Sequence, residues 1–522
     1  MKKTILASAS MLALAMSAPV FAQNVSDIFQ SGGSNGATVN QTGTNTSEID
    51  QTGSGAVADV TQAGTNNDST ITQSGGGTVT VDQSGITGST SNVTTLADDN
   101  PPESTVSVTQ TDDGSSSAAA GQANESTVFQ DNVNIGSSVT VSQTQNAAGA
   151  GQNSSLVTQG RNATNGDVFV TQTGGDNTSI YSSSTSTDND AFITQNGQDN
   201  LSDVTQNFQN GGAIATVNQT NAGGALNSAT ISQTSAGFST NPAQFAIGAD
   251  ATITQNGEGN IASIDQTGFA ASAVESNEAS SDQQGDFNTS EIVQSGTLGS
   301  ATVLQDGDGN ESSILQSGTG QFADVTQSGN DNLSEIDQDG DSNEATVAQS
   351  GSNGESFIVQ AGANNIAFVE QIGNGGISEI YQGDVAGGSN NLADVTQTGL
   401  NRSVIGQGTG SGNSATVIQT NTGGAINMSQ VMQGDLVAGD DNTAANIVQT
   451  GFGNESTVDQ SDTLGLGGEN FAELAQVGSN NESTITQDGF QNSASVSQTG
   501  IGNISGVTQT GMGNSATVSQ GM

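Results

Sequence analysis

The 522-residue chain has no Cys, no His and no Trp, and only four of its residues are basic. Each absence removes a class of chemistry. Disulfides, thiolate or imidazole metal sites, Cys/His nucleophile pairs and Ser-His-Asp triads are excluded. Aromatic residues make up 3% of the chain and hydrophobic residues 31%. That is too little to fill the three or four globular cores that this length would suggest at roughly 150 residues per domain. Four Lys and Arg face 52 Asp and Glu, a formal charge of −48. Phosphate backbones and anionic membranes are repelled by such a chain, so nucleic-acid binding and lipid-surface binding are disfavoured. Beyond the N-terminus no run is long and apolar enough to insert in a membrane. Glycine, by contrast, is abundant, at 71 residues.

The N-terminus reads as an export signal. Lys2 and Lys3 precede an apolar run over 5–16, and Val20-Phe21-Ala22 places small residues three and one before a cleavage point. Residues 1–22 are therefore expected to be a signal peptide and Gln23 the first mature residue. Its removal takes two positive charges and no acid, leaving −50.

Internal repetition dominates the rest. Ile292, Val303, Ile314, Val325, Ile336, Val347, Ile358, Val369 and Ile380 stand eleven residues apart, each followed two positions later by Gln: Gln294, Gln305, Gln316, Gln327, Gln338, Gln349, Gln360, Gln371 and Gln382. The same step returns near the C-terminus in Gln487, Gln498, Gln509 and Gln520, in Asn481, Asn492, Asn503 and Asn514, and in Gly489, Gly500 and Gly511. Three stretches follow: irregular repeats with insertions over 23–291, highly regular repeats over 292–382, and repeats over 383–522.

Side chains alternate faces along a strand, so Ala516, Val518 and Gln520 share one face and Ser515, Thr517 and Ser519 the other. The first set is expected inside. Thr510-Gly511-Met512-Gly513-Asn514 has the Gly and Asn content of a tight turn with positive φ. Eleven residues then make one strand and one corner, and two such units close a coil. The fold expected is an all-β, two-sided β-solenoid with cross-β stacking, about 18 coils and about 90 Å long at the ~4.8 Å strand spacing. Identical amides one rung apart can bond along the stack, which satisfies inward Gln and Asn that would otherwise cost about 1–3 kcal/mol each.

The run Asn492-Ser493-Ala494-Ser495-Val496-Ser497-Gln498-Thr499-Gly500-Ile501-Gly502-Asn503, followed by Val507 and Gln509, resembles the curlin repeat of bacterial curli-type functional amyloid. The resemblance covers nearly all of the mature chain, which is several times longer and far more acidic than a typical curlin subunit. It implies secretion from a Gram-negative bacterium through an outer-membrane pore. It further implies polymerisation outside the cell on a nucleator or minor curlin-like subunit, and a fibre that serves biofilm matrix, cell aggregation and adhesion.

Breaks in the phase are expected to be loops extruded from the solenoid: 84–107, with Pro101 and Pro102; 234–250, with Pro242; 267–290; and 461–471. Acids fall on corners and outward positions, as with Asp59, Asp203, Asp324 and Asp394, where like charges repel and slow association. No cofactor is expected, although diffuse calcium binding by these acids is. Asp339-Gly340-Asp341-Ser342-Asn343 has the opening of a calcium loop, yet Ser350 stands where the bidentate Glu would be needed. An alternative to the fibre subunit is a monomeric solenoid adhesin or ice-binding surface protein, for which the outward pairs Thr70/Thr72, Thr252/Thr254 and Thr484/Thr486 offer support. A carbohydrate-active β-helix enzyme is disfavoured by the scarcity of aromatic and basic groups.

Overall fold

The computed structural model describes residues 23–521 except 97–103, 113–122, 132–135, 146–150, 161–163, 185–187, 208–211, 236–248, 269–276, 384–387, 409, 435–442 and 462–467. The expected signal peptide and Pro101, Pro102 and Pro242 lie outside the described residues.

Every named strand pairing is parallel. Past the first two coils, each strand bonds to the strand two further along the chain. Phe322–Asn330 follows Ser300–Asp306 with Ala301 against Ala323, Val303 against Val325 and Gln305 against Gln327. Leu333–Asp341 follows Glu311–Thr319 with Ile314 against Ile336 and Gln316 against Gln338. Alternate strands thus build two facing sheets, and like stacks on like. The long strands Gly36–Ser54 and Ala56–Ser74 run through a corner and supply a rung to both sheets. Among the described residues there is no helix, and the chain is a parallel β-solenoid.

Each strand sends three side chains into the narrow space between the sheets, and a sharp corner turns it into the next. Corner geometry comes from left-handed backbone. Asp331, Asn353 and Asn364 have φ of 56°, 57° and 55°, and Gly489, Gly500 and Gly511 have φ of 119°, 116° and 102°. At Gly489 a Cβ would run into the carbonyl oxygen of Gly511 one rung on, so stacking itself, beyond the positive φ, excludes a side chain there.

Two of the stretches expected to be extruded loops each contain a rung. Thr90–Leu96 pairs with Asp68–Ser74 within 84–107, and Glu278–Gln284 pairs with Asp250–Asn256 within 267–290. Both are disguised by a substitution in the repeat unit. Thr95 stands in the glutamine slot of one and Ser281 in the aliphatic slot of the other. The neighbouring strands above and below supply the backbone hydrogen bonds that make these residues a strand regardless.

Candidate functional site: two buried amide ladders

The two sheets differ in one inward column. In the regular region strands of one sheet read Ser-x-Ile-x-Gln, with Ser312, Ser334, Ser356 and Ser378 stacked. There the strands of the other read Ala-x-Val-x-Gln, with Ala301, Ala323, Ala345 and Ala367 stacked, and all eight are buried; toward the N-terminus Val106, Val139 and Val168 take the alanine place and Ala229 and Ala262 the serine one. They are called here the serine sheet and the alanine sheet. This alternation was present in the sequence at a period of 22 residues, but the stronger eleven-residue signal of Val/Ile and Gln hid it.

Glutamine forms the chemical spine of each sheet. On the alanine sheet the amides bond head to tail without a break from Gln41 to Gln520, at 2.7–3.0 Å between Nε2 and Oε1. This ladder contains Gln305, Gln327, Gln349, Gln371, Gln498 and Gln520. On the serine sheet an equivalent ladder runs from Gln206 to Gln509 and contains Gln294, Gln316, Gln338, Gln360, Gln382 and Gln487. The eleven-residue series therefore divides between two ladders. Residues adjacent in the series lie on opposite sheets.

The second N–H of each amide reaches across the core. Gln316 Nε2 donates to the Ser300 carbonyl at 3.1 Å, Gln327 to Glu311 at 3.0 Å, Gln338 to Phe322 at 2.9 Å and Gln349 to Leu333 at 3.0 Å. Because a carbonyl can only accept, these bonds fix which way every amide is turned. Each glutamine is thereby satisfied twice as donor and once as acceptor, and it ties its rung both to the next coil and to the opposite sheet. In so dry a space hydrogen bonds are strong and orphaned groups costly, so the ladder stabilises only the stacked arrangement.

Asparagines hold the corners. Asn503 Nδ2 and backbone N–H both donate to Asn481 Oδ1, at 2.9 and 3.0 Å, and Asn514 treats Asn492 the same way at 2.9 and 3.1 Å. Asn481 and Asn492 are buried, Asn503 is half-buried and Asn514 exposed. The turn glycines take part through their carbonyls: Gly489 accepts from Asn470 at 2.7 Å, Gly500 from Asn481 at 3.2 Å and Gly511 from Asn492 at 3.0 Å. The two amide series have opposite sense. Gln donates to the Gln of the C-terminal rung, whereas Asn donates to the Asn of the N-terminal one.

Outward positions carry the acids. Partial burial pushes the carboxyls of Asp203, Asp324 and Asp394 above the usual range, Asp394 with a further push from Glu370. Asp339-Gly340-Asp341-Ser342-Asn343 forms a solenoid corner. Asp339 Oδ1 accepts from Ser317 Oγ at 2.9 Å, Ser342 has φ 57° and Asn343 Nδ2 donates to the Asp339 carbonyl at 3.1 Å. Among the described residues no three acids converge on one point. Arg402 forms an exposed ion pair with Glu379 at 2.8 Å.

The profile of the curlin-associated repeat matches residues 300–329, 329–362, 388–420, 466–489 and 491–521. The C-terminal part of this chain, within 300–521, carries five curlin-associated repeats. No curated protein matches it. The five matched segments lie in the C-terminal part, but the ladder geometry of the curlin repeat continues toward the N-terminus, where Gln30 donates to Gln51 at 2.6 Å and Gln51 to Gln73 at 2.8 Å. The curlin repeats and the solenoid fold fit a structural protein of the curli-like kind.

Proposed function

We propose that this chain is a structural subunit of extracellular curli-like amyloid fibres, contributing to biofilm matrix, cell aggregation and surface adhesion, and that it has no catalytic role. One observation carries the reading. Rungs taken from distant parts of the chain are closely alike: within each sheet the register is kept, and the aliphatic–glutamine pair and its amide bond recur except at substituted rungs such as those of Thr95, Tyr181 and Ser281. A coil added from another molecule would meet the contacts that successive coils of one molecule already make. Export in this reading uses the leader at residues 1–22 and an outer-membrane pore, and a nucleator or minor curlin-like subunit starts growth at the cell surface.

The test is a time course of purified mature protein by negative-stain microscopy, with X-ray diffraction on the product. Unbranched filaments with a meridional reflection near ~4.8 Å are expected. A protein that remains monomeric over days at high concentration, with or without seeds, overturns the proposal.

A further inference from the structure

Among the described residues, carboxylates are spread over much of the outer surface, and one long window on the alanine sheet is free of them in three of its four columns. On the alanine sheet, six successive rungs run from Thr105–Asp112 through Ser138–Gln145, Asp167–Gly175, Asp190–Gln198 and Ile214–Asn221 to Asp250–Asn256. Each presents four outward columns. In the last three columns all eighteen side chains are Ser, Thr, Asn or Phe, and none is charged. The next six rungs of the same sheet carry five acids in the same eighteen places. We propose that this window is the surface on which two copies of the chain pack face to face, related by a two-fold axis parallel to the solenoid axis.

Charge selects the window. Two such acidic chains repel wherever carboxylates meet, and here three of the four columns are neutral, with Thr at eleven of their eighteen places. Sheets pack about 10 Å apart, which suits interdigitated Thr and Ser. The hydroxyls already align along the axis, with Thr111 and Thr144 Oγ1 atoms 3.1 Å apart. In the second column the rings of Phe169 and Phe192 stack on each other, centroids 5.4 Å apart and 3° from parallel. Both rings are exposed on this face.

The first column selects the symmetry. It holds Asp167, Asp190 and Asp250, whereas the fourth holds only Thr and Asn, Asn196 and Asn256 among them. A two-fold axis along the strands would set one Asp column against the other. A two-fold axis along the solenoid reverses the strands and sets Asp against the hydroxyl and amide donors of the fourth column, with both solenoids pointing the same way. The patch measures about 29 Å by about 20 Å, so about 1,200 Å² is buried in all, the lower limit of a standard interface. Pairing is then concentration-dependent, and it does not depend on stacking end to end.

The decisive experiment is sedimentation velocity on freshly purified, unassembled full-length mature chain from micromolar to millimolar concentration, with circular dichroism confirming the fold of each variant. A triple variant Thr171→Asp/Thr194→Asp/Asn218→Asp charges the window. Ser182→Asp/Thr205→Asp/Ser232→Asp adds the same charge to the serine sheet at the same level. A concentration-dependent dimer is expected, weakened about tenfold or more by the first set and far less by the second. A nitroxide at Thr109→Cys reports the symmetry, with the two labelled backbones about 12 Å apart for the proposed axis and about 26 Å for the other. A chain that stays monomeric throughout, a dimer weakened equally by both sets, or one untouched by the window set overturns the proposal. So does the longer distance. Retention of the monomer on a neutral polysaccharide that only the window set abolishes would assign the face to a different occupant and overturn it as well.

Discussion

The Tyr181 hydroxyl donates a 2.9 Å hydrogen bond to Gln206 Oε1 and fills the place that a glutamine amide holds on neighbouring rungs. Its strand, Thr178–Ser184, has Tyr in the aliphatic slot and Ser183 in the glutamine slot, so one long side chain and one short one replace the usual pair. Burial pushes the phenol well above its ordinary range, so it stays a neutral donor. A substitution that looks like a break in the repeat is thus a second solution to the same hydrogen-bonding requirement.

Removing that donor should be felt locally. Tyr181→Phe keeps the ring but orphans Gln206 Oε1, at a cost of about 1–3 kcal/mol. Tyr181→Val/Ser183→Gln restores the usual unit and should recover stability that Tyr181→Val alone loses to a cavity. Urea unfolding of the three variants checks this, and near-equal single and double variants would refute the compensation.

The serine column should oppose stability. The hydroxyls of Ser312, Ser334, Ser356 and Ser378 are buried with no hydrogen-bond partner. Replacing all four by Ala removes four unsatisfied groups and should raise the denaturant midpoint, whereas Ala301, Ala323, Ala345 and Ala367 changed together to Ser should lower it, each site costing about 1–3 kcal/mol of unfolding free energy. A lower midpoint for the Ser→Ala set would mean that the hydroxyls are bonded in solution.

The glutamine ladders should govern order more than collapse. Gln316, Gln327, Gln338 and Gln349 changed together to Leu remove two successive amides from each ladder and leave Gln294 and Gln305 without their acceptors, while Thr302, Thr326 and Thr346 changed to Ser alter only outward positions. The Leu set should yield amorphous aggregate or fibres of lower detergent resistance, and the Thr set near-normal fibres. Fibre diffraction and seeding by wild-type fragments decide between them, since total pelleted protein would not.

Acid should stabilise the stack. Partial burial raises the carboxyls of Asp203, Asp324, Asp337 and Asp459, the last two pushed further by Asp339 and Asp488. Between the ordinary carboxylate range and these raised values the folded chain holds more protons than the unfolded one. Stability therefore climbs as pH falls through that window, is fully gained below the ordinary range, and is lost as pH rises. Urea midpoints at pH 7 and pH 4.5 should show the acid form more stable. Lag times before assembly should shorten at pH 4.5 and with millimolar calcium, which screens the same carboxylates. Equal lag times under all conditions would rule out the electrostatic account.

Much of this was legible because the repeat is local. The phase of Val303 and Gln305, Ile314 and Gln316, and their successors was enough to assign faces, corners and a two-strand coil, since side-chain alternation needs nothing beyond the strand itself. Tertiary structure decided the rest. Thr95 and Ser281 hid their rungs because a strand in a parallel stack is held by its neighbours' backbones, whatever its own side chains say. The division of Gln294 and Gln305 between separate ladders and the rescue of Gln206 by Tyr181 depend on which rungs end up one above the other. So does the uncharged window around Thr171 and Thr194. The sequence by itself determined the repeating unit and its inward face, because those follow from a period of two within each strand. Only the stacked coils decided which side chains meet, because residues 21 to 36 positions apart become neighbours through hydrogen bonds that no single repeat contains.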